Sequence, residues 1–309
     1  MNPIVSVIIP NYNHAPFLKE RIESVLNQSF QDFEVILLDD CSTDNSRDII
    51  EQYRHHPRVS NIIFNEQNTG NTFVQWERGI SLARGKYIWI AESDDVAEKN
   101  FLSTLIPLLE ADEQCVVAYS HSLMIDSNGQ PMQQTWHKKG SNGSVMIHDG
   151  SRFNRQVMVN HCAIYNASMT VFRKSVFPLI PKDFQNFRYC GDWLFWGYVC
   201  QHGKVIEVCQ KLNRLRRHEN EVSSRAEKNG AKWQDTGGIL SRFIDIMQLS
   251  PWECRCMRGR WTKRFRKERF PNKEDIKNSY PHIFDGSLLD VVCYEVGKLS
   301  LKVSYTGVK

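Results

Sequence analysis

The 309-residue chain has no apolar run approaching the roughly 18 residues that a membrane-spanning helix needs. Its first apolar stretch, Ile4 to Pro10, is short and has no basic leader, so a signal peptide is not expected. A large charge excess is also missing: 39 Lys and Arg stand against 35 Asp and Glu, and a net charge of +4 gives no reason to expect nucleic acid as a partner. The nine cysteines have no regular spacing, and Cys254-Arg-Cys256 and the pair Cys190/Cys200 lack the partner ligands of a zinc site. Without a secretory leader they are expected as free thiols in a reducing compartment, which points to the cytoplasm. No G-x-G-x-x-G follows the first strand and no G-x-x-x-x-G-K-[ST] occurs anywhere, which speaks against a dinucleotide dehydrogenase and a P-loop phosphotransferase. Internal repeats and low-complexity segments are absent as well.

What is present in the first half is an alternation of two periods. Val5 to Pro10 is a short β-rich run, and Pro16 opens a segment whose Leu18, Ile22, Val25 and Leu26 recur at helical spacing. Phe33 to Leu38 is a second strand ending in Asp39-Asp40, with Ser42 or Thr43 expected to cap the helix that follows. Val59 to Phe64 is a third strand and Asn68-Thr-Gly70 a turn. Phe73, Trp76, Ile80 and Ala83 then form a helical face, which Gly85 is expected to close as a C-cap. Lys86 to Ala91 is a fourth strand running into Glu92-Ser-Asp94-Asp95, followed by a helix around Phe101 to Leu109 and a fifth strand from Cys115 to Ser120. Such an order implies an α/β fold with a mainly parallel sheet flanked by helices. Ligands of these sheets sit beyond the carboxyl ends of the strands, where Pro10 to Asn13, Asp39-Asp40 and Asp94-Asp95 all fall. Residues 120 to 165 read as excursions over that edge, and strands return at Ser168 to Arg173 and Val205 to Val208.

Adjacent carboxylates at the end of a buried strand are costly unless something positive compensates them. A divalent cation with oxygen ligands, Mn²⁺ or Mg²⁺, would do so and would also bind phosphate. A helix N-cap with acidic first-turn residues explains either pair alone; two pairs at successive strand ends favour a site. Carboxylates beside a flat ring such as Tyr12 suit a nucleotide base, a ribose and a metal-bridged diphosphate. The tryptophans at 76, 89, 193 and 196 sit at helix or strand spacing and read as core, with Trp193 the exception because it adjoins an acidic residue.

Val5-Ser-Val-Ile-Ile-Pro-Asn-Tyr-Asn13 resembles the opening of family-2 glycosyltransferases with the GT-A fold. So do Val25 to Phe30, Asp32-Phe-Glu34 with Asp39-Asp-Cys-Ser-Thr-Asp44, and Ala83 to Asp95. The match is dense over roughly the first 125 residues and thins to islands up to about residue 225. The resemblance implies that Pro10 and Tyr12 border the base, that Asp39 accepts a hydrogen bond from it, and that Asp94 and Asp95 are the so-called DXD element, with Asp95 the direct metal ligand. It further implies a catalytic base just before an aromatic-rich helix. Asp192, in Cys190-Gly-Asp-Trp-Leu-Phe-Trp196, has that place and is expected to stay ionised at a helix start near a cation. His218, in Arg216-Arg-His-Glu-Asn220, would ligate the metal or touch the diphosphate. Cys41 departs from the pattern by replacing a common glycine, and no Q-x-x-R-W of processive synthases is present, which favours transfer of one sugar over polymerisation.

These residues imply an inverting transfer from a nucleotide-sugar, a UDP-sugar foremost, to a hydroxyl of a glycan or lipid-linked acceptor in surface polysaccharide synthesis. The alternatives are a nucleotidyltransferase and a non-catalytic nucleotide-sugar-binding protein. Residues 1–225 are expected to form the transferase domain and 226–309 a helical C-terminal extension. Within that extension, Arg255 to Arg269 carries eight basic residues against one acidic, interleaved with Met257, Trp261 and Phe265 and followed by Phe270. An aromatic stripe on a basic helix can lie on the anionic inner face of a membrane.

Overall fold

The computed structural model describes residues 2–133, 143–218 and 229–305. Two compact units are present: Met1–Asp149, Ile164–Gln185 and His202–His218 form the first, and Gly150–Ala163, Asn186–Gln201 and Glu219–Lys309 the second.

The first unit is built on one nine-stranded sheet. Its strands are β1 (Val5–Asn11), β2 (Phe33–Asp39), β3 (Val59–Phe64), β4 (Tyr87–Ile90), β5 (Val96–Ala97), β6 (Cys115–Ile125), β7 (Val145–Asp149), β8 (Thr170–Arg173) and β9 (Lys204–Arg216). They lie in the order β3-β2-β1-β4-β8-β6-β9-β5, with β7 paired to β9. The four strands β3, β2, β1 and β4 run parallel, and the helices α1 (Ala15–Leu26), α2 (Ser46–Glu51) and α3 (Thr72–Leu82) make the crossovers. β8 enters antiparallel between β4 and β6, and β6 pairs with β9 in parallel. The helix α4 (Phe101–Ala111) leads into β6.

The apolar runs explain this order. Every residue of β1, β2 and β4 is buried, as strands covered on both faces require. Leu18, Ile22 and Val25 of α1 and Phe101, Leu102, Leu105 and Leu109 of α4 join them in one core. Trp76 and Trp89 belong to the interior, as their spacing suggested. The register sets Asn11 level with Asp39 and Ile8 level with Ile90. The residues after β1, β2 and β4 therefore leave the sheet along one edge.

Two expected helix caps are not found. α2 starts at Ser46, and Ser42 instead accepts hydrogen bonds from Asn11 Nδ2 (3.1 Å) and the Asn13 N–H (2.9 Å), tying the β2 exit to the β1 exit. α3 ends at Ala83 in an extended conformation, so Gly85 closes no left-handed cap. It is a glycine because β1 passes against it: a Cβ there would lie 2.5 Å from Ser6 N and 2.7 Å from Val5 C. Gly85→Ala is expected to destabilise the protein by about 1–3 kcal/mol, since backbone must yield. Urea unfolding monitored by circular dichroism checks this, and an unchanged midpoint would show that β1 has room to shift. Cys41, where a glycine was expected, has φ +62°, the left-handed region that glycine adopts without strain.

The second half runs longer than its periodicity indicated. β6 continues to Ile125 and β9 is one strand of 13 residues through Leu212. Asn128-Gly129 makes a turn, held by Asp126 Oδ1, which accepts from the N–H groups of Asn128 and Gln130. Within the stretch expected as excursions, Gly150–Ala163 belongs to the second unit.

That unit is helical, with α5 (Gly150–Phe153), α6 (Gly191–Gln201), α7 (Ala231–Ile246), α8 (Pro251–Lys267), α9 (Lys273–Ser279), α10 (Pro281–Phe284) and α11 (Leu288–Tyr305). Trp193 lies in its interior, 4% exposed, donating Nε1–H to the Met158 carbonyl and packing on Trp261 and Phe243. It is core rather than the exposed exception its position suggested. The stripe Met257, Trp261 and Phe265 of α8 is also buried, so these rings are not offered to a membrane. Several basic residues of the same helix are matched internally: Arg255 and Arg258 by Asp290, and Lys263 by Glu295. No helix among the described residues is long and apolar enough to cross a membrane. All nine cysteines are free thiols, as expected.

Candidate active site

The acidic turn Glu92-Ser93-Asp94-Asp95 leaves β4 at the shared edge. Glu92 accepts from Trp76 Nε1 (2.9 Å), and burial, reinforced by Asp94 and Asp95, pushes its carboxyl up to about 8. Ser93 meets His14 Nδ1 at 2.8 Å. Asp94 faces His218, with 3.2 Å between Oδ2 and Nε2. Burial opposes its ionisation, but the His218 hydrogen bond and the positive potential of His14 and His218 outweigh it and hold the carboxyl below its usual range.

Asp95 turns the other way. It is 1% exposed, and its oxygens accept from the Arg216 N–H (3.0 Å) and Asn166 Nδ2 (2.8 Å), with Arg21 Nη2 3.9 Å away. Burial and the Asp94 charge raise its carboxyl above the usual range. The neighbouring carboxylates thus have opposite surroundings: Asp94 a pair of imidazoles, Asp95 an enclosure of fixed donors.

Two arginines hold the turn in place. Arg21, fully buried on α1, donates to the Glu92 carbonyl (2.7 Å) and lies over the Trp89 ring. Arg216, at the end of β9, donates to the Asp94 carbonyl (2.8 Å) and pairs with Glu20. Sequence reasoning missed Arg21, although an arginine between Leu18 and Val25 on an apolar helical face was a readable signal. It missed His14 and Glu92 as site residues too. For His14 nothing in the sequence pointed to a ligand, because its partners come from β4 and β9.

Asp39 and Asp40 divide their work. Asp39 is buried and accepts from Asn11 Nδ2, the Ser42 N–H and Arg47 Nε, each at 3.0 Å. Asp40 is taken up by the β3–α3 connection: it accepts from Asn65 Nδ2, Gln75 Nε2 and the Thr69 N–H and hydroxyl. The second acid pair is therefore one residue at the site edge and one structural residue. Pro10 is buried at the end of β1, whereas Tyr12 beyond it is 46% exposed, a ring free to meet a planar ligand. Glu219 and Asn220 of the expected basic segment lie outside the described residues.

Asp192 lies in the first turn of α6 in the second unit. Burial pushes its carboxyl up to about 7, against the pull of the helix N–H groups and with Asp235 adding to the rise. The expectation that it stays ionised at neutral pH is corrected: the positive charge of Lys232 contributes less than these effects.

One donor atom each from His14, Asp94 and His218 can be chosen so that all lie within 4.8 Å of one another. The group sits beyond the ends of β1, β4 and β9 and lacks Asp95. Two imidazoles with one carboxylate fit a divalent cation of intermediate softness, and they suit Mn²⁺ better than Mg²⁺, which prefers an all-oxygen shell.

Residues 6–178, more than half of the chain, match the profile described as glycosyl transferase family 2. The chain belongs to that family. An uncharacterised glycosyltransferase of Nostoc, alr2836, is 35% identical over 240 residues, covering 76% of this chain and 72% of that protein. TuaG of Bacillus subtilis, named for teichuronic acid biosynthesis, is 30% identical over 135 residues, 44% of this chain. GlyG of Streptococcus pneumoniae is 33% identical over 42% of this chain. The chain spans about half the length of these last two relatives, 53% of TuaG and 42% of GlyG. Among solved structures, S. aureus TarS 1–349 in complex with UDP-GlcNAc superposes with a TM-score of 0.63 at 17% identity, covering 95% of this chain and 78% of that one. A mannosyltransferase of Pyrobaculum calidifontis with GDP-Man and Mn²⁺ gives 0.57 at 13% identity, covering 97% and 80%. At such identities the likeness establishes the fold, which is GT-A.

Proposed function

We propose that this family-2 protein transfers one sugar from a nucleotide-sugar, foremost a UDP-sugar, with inversion, to a hydroxyl of a glycan or lipid-linked acceptor in surface polysaccharide synthesis. The observation that carries the reading is the His14, Asp94 and His218 group at the carboxyl ends of three strands, beside exposed Tyr12. The UDP-GlcNAc and GDP-Man held by the two solved relatives and the teichuronic acid role named for TuaG support the donor class and the setting.

His14, Asp94 and His218 would hold Mn²⁺ or Mg²⁺. When bound, the cation supplies positive charge where the leaving diphosphate develops negative charge. Arg21 and Arg216 keep the turn fixed, so Asp94 needs no reorganisation to present its carboxylate. Tyr12 would stack on the base and Pro10 border it, with Asp39 aligned by Asn11 and Arg47 to receive its N–H. For the base we propose Asp192, on its place in the motif order; a carboxylate with an affinity for protons near neutrality is well matched to removing one from an acceptor hydroxyl. An inverting transfer is a single displacement at the sugar carbon, with one carboxylate taking the proton of the acceptor hydroxyl.

A donor screen reading nucleoside diphosphate release tests the proposal. Turnover is expected with a UDP-sugar and Mn²⁺, and not in EDTA. Release of pyrophosphate from a nucleoside triphosphate instead would move the protein to nucleotidyl transfer. Donor binding with no turnover on any acceptor would make it a binding protein.

A further inference from the structure

We propose a second metal site, for zinc, formed by His121 on β6 with Glu207 and Cys209 on β9. It is apart from the acidic turn and shares no residue with it. One donor atom of each of the three can be chosen so that all lie within 4.8 Å of one another. Glu207 and Cys209, two apart on one strand, project from the same sheet face. The β6–β9 register sets Tyr119 level with Glu207, then shifts between Ser120 and His121. Such irregularities re-aim a side chain, and here His121 Nε2 comes 3.0 Å from Glu207 Oε1. On the other flank β7 pairs antiparallel with β9, and His148 Nε2 meets the second oxygen of Glu207, also at 3.0 Å.

Three features favour a cation over a simple hydrogen-bonded cluster. Glu207 is partly enclosed, its side chain 17% exposed, and its two oxygens lie between the imidazoles of His121 and His148, so it offers an oriented carboxylate as a ligand. Next, the donors are mixed nitrogen, oxygen and sulfur, a set zinc accepts in tetrahedral geometry and Mg²⁺ or Ca²⁺ does not. Finally, Cys209 is 6% exposed and brings its sulfur into the same group. Tetrahedral zinc would hold the donors roughly 3.3–3.8 Å apart, so the 3.0 Å contact between His121 Nε2 and Glu207 Oε1 would open slightly around the ion. His148, holding the free oxygen of Glu207, would orient that ligand, as hydrogen-bonded partners of metal ligands commonly do. The ion would fasten β6 to β9, with β7 attached through His148.

Titration of the full-length, metal-stripped protein with Co²⁺ provides the test. A sulfur-to-cobalt charge-transfer band in the near ultraviolet is expected at one equivalent. The His14, Asp94 and His218 group contains no sulfur and cannot produce it. The band should vanish in Cys209→Ser, persist in Asp94→Asn, and be displaced by zinc. Glu207→Gln should weaken zinc binding about 100-fold or more. No band in the wild-type protein, which requires no variant to fold, overturns the proposal. So does a band that survives Cys209→Ser, or zinc bound only where Asp94 is intact.

Discussion

Asp192→Asn is expected to lower kcat by about 10²- to 10⁴-fold while leaving donor affinity within about twofold, the size of effect a positioned general base contributes. Asparagine keeps the shape and the helix-start position but cannot take a proton. The pH dependence adds a second readout. Because burial pushes Asp192 up to about 7, the base is protonated in a growing fraction of molecules as pH falls below that value. The wild-type kcat/KM should therefore rise with pH through about 7, and the variant should lack that limb. Stability should move oppositely. A carboxyl whose folded pKa lies above its unfolded value of about 3.9 contributes stability that is complete below that value and is lost as pH rises through about 7. Asparagine carries no such loss, so at pH 8 the variant should be no less stable than the wild type. Wild-type turnover in Asp192→Asn would end the assignment; a variant that is both inactive and unfolded at pH 8 would mean that the carboxylate serves the fold.

Asp94→Asn and Asp95→Ala are expected to fail in different ways, although the residues are adjacent. Asp94 gives the cation group its one carboxylate, and its Oδ2 faces His218. Asp94→Asn should abolish the dependence of donor binding on Mn²⁺ with little change in Tm, because its carbonyl still receives Arg216. Asp95→Ala removes the acceptor of Arg216 N–H and Asn166 and leaves Arg21, 0% exposed, facing a cavity. Removing one partner of a buried pair typically costs about 3–5 kcal/mol, so this variant should unfold well below the wild type. Thermal unfolding with calorimetric titration of Mn²⁺ separates the two. A stable Asp95→Ala that has lost its metal response would make Asp95 the ligand and reverse the assignment drawn from the geometry.

Much of the fold was legible in the order of the elements. β1, β2, β3 and β4 are short apolar runs closed by polar clusters, and α1 and α3 show unbroken helical faces. Legibility ended where local signals had two explanations. Gly85 follows a helix and so reads as a cap, yet β1 is what demands a glycine there. Trp261 and Phe265 on a basic helix read equally as membrane-facing or inward-facing, and the other helices of the second unit decide for the inside. Asp39-Asp40 read as a pair, but Asn65, Thr69 and Gln75 claim Asp40 from a distant connection.

The sequence by itself determined the mainly parallel sheet and the edge at which Tyr12, Asp39 and Asp94-Asp95 emerge, because strand and helix periods are local and additive, and its motifs in their order carried the resemblance to the family. Only the tertiary structure decided which carboxylate of the acidic turn looks outward. That depends on Arg21, Asn166 and Arg216, which arrive from α1, the approach to β8 and the end of β9. The same holds for His14 and His218, far apart in the chain and brought to one carboxylate by the parallel register. It holds also for Asp192, whose proton affinity is raised by burial and Asp235 against the pull of the helix N–H groups beside it. Electrostatic surroundings are a property of what packs together, and periodicity carries no record of them.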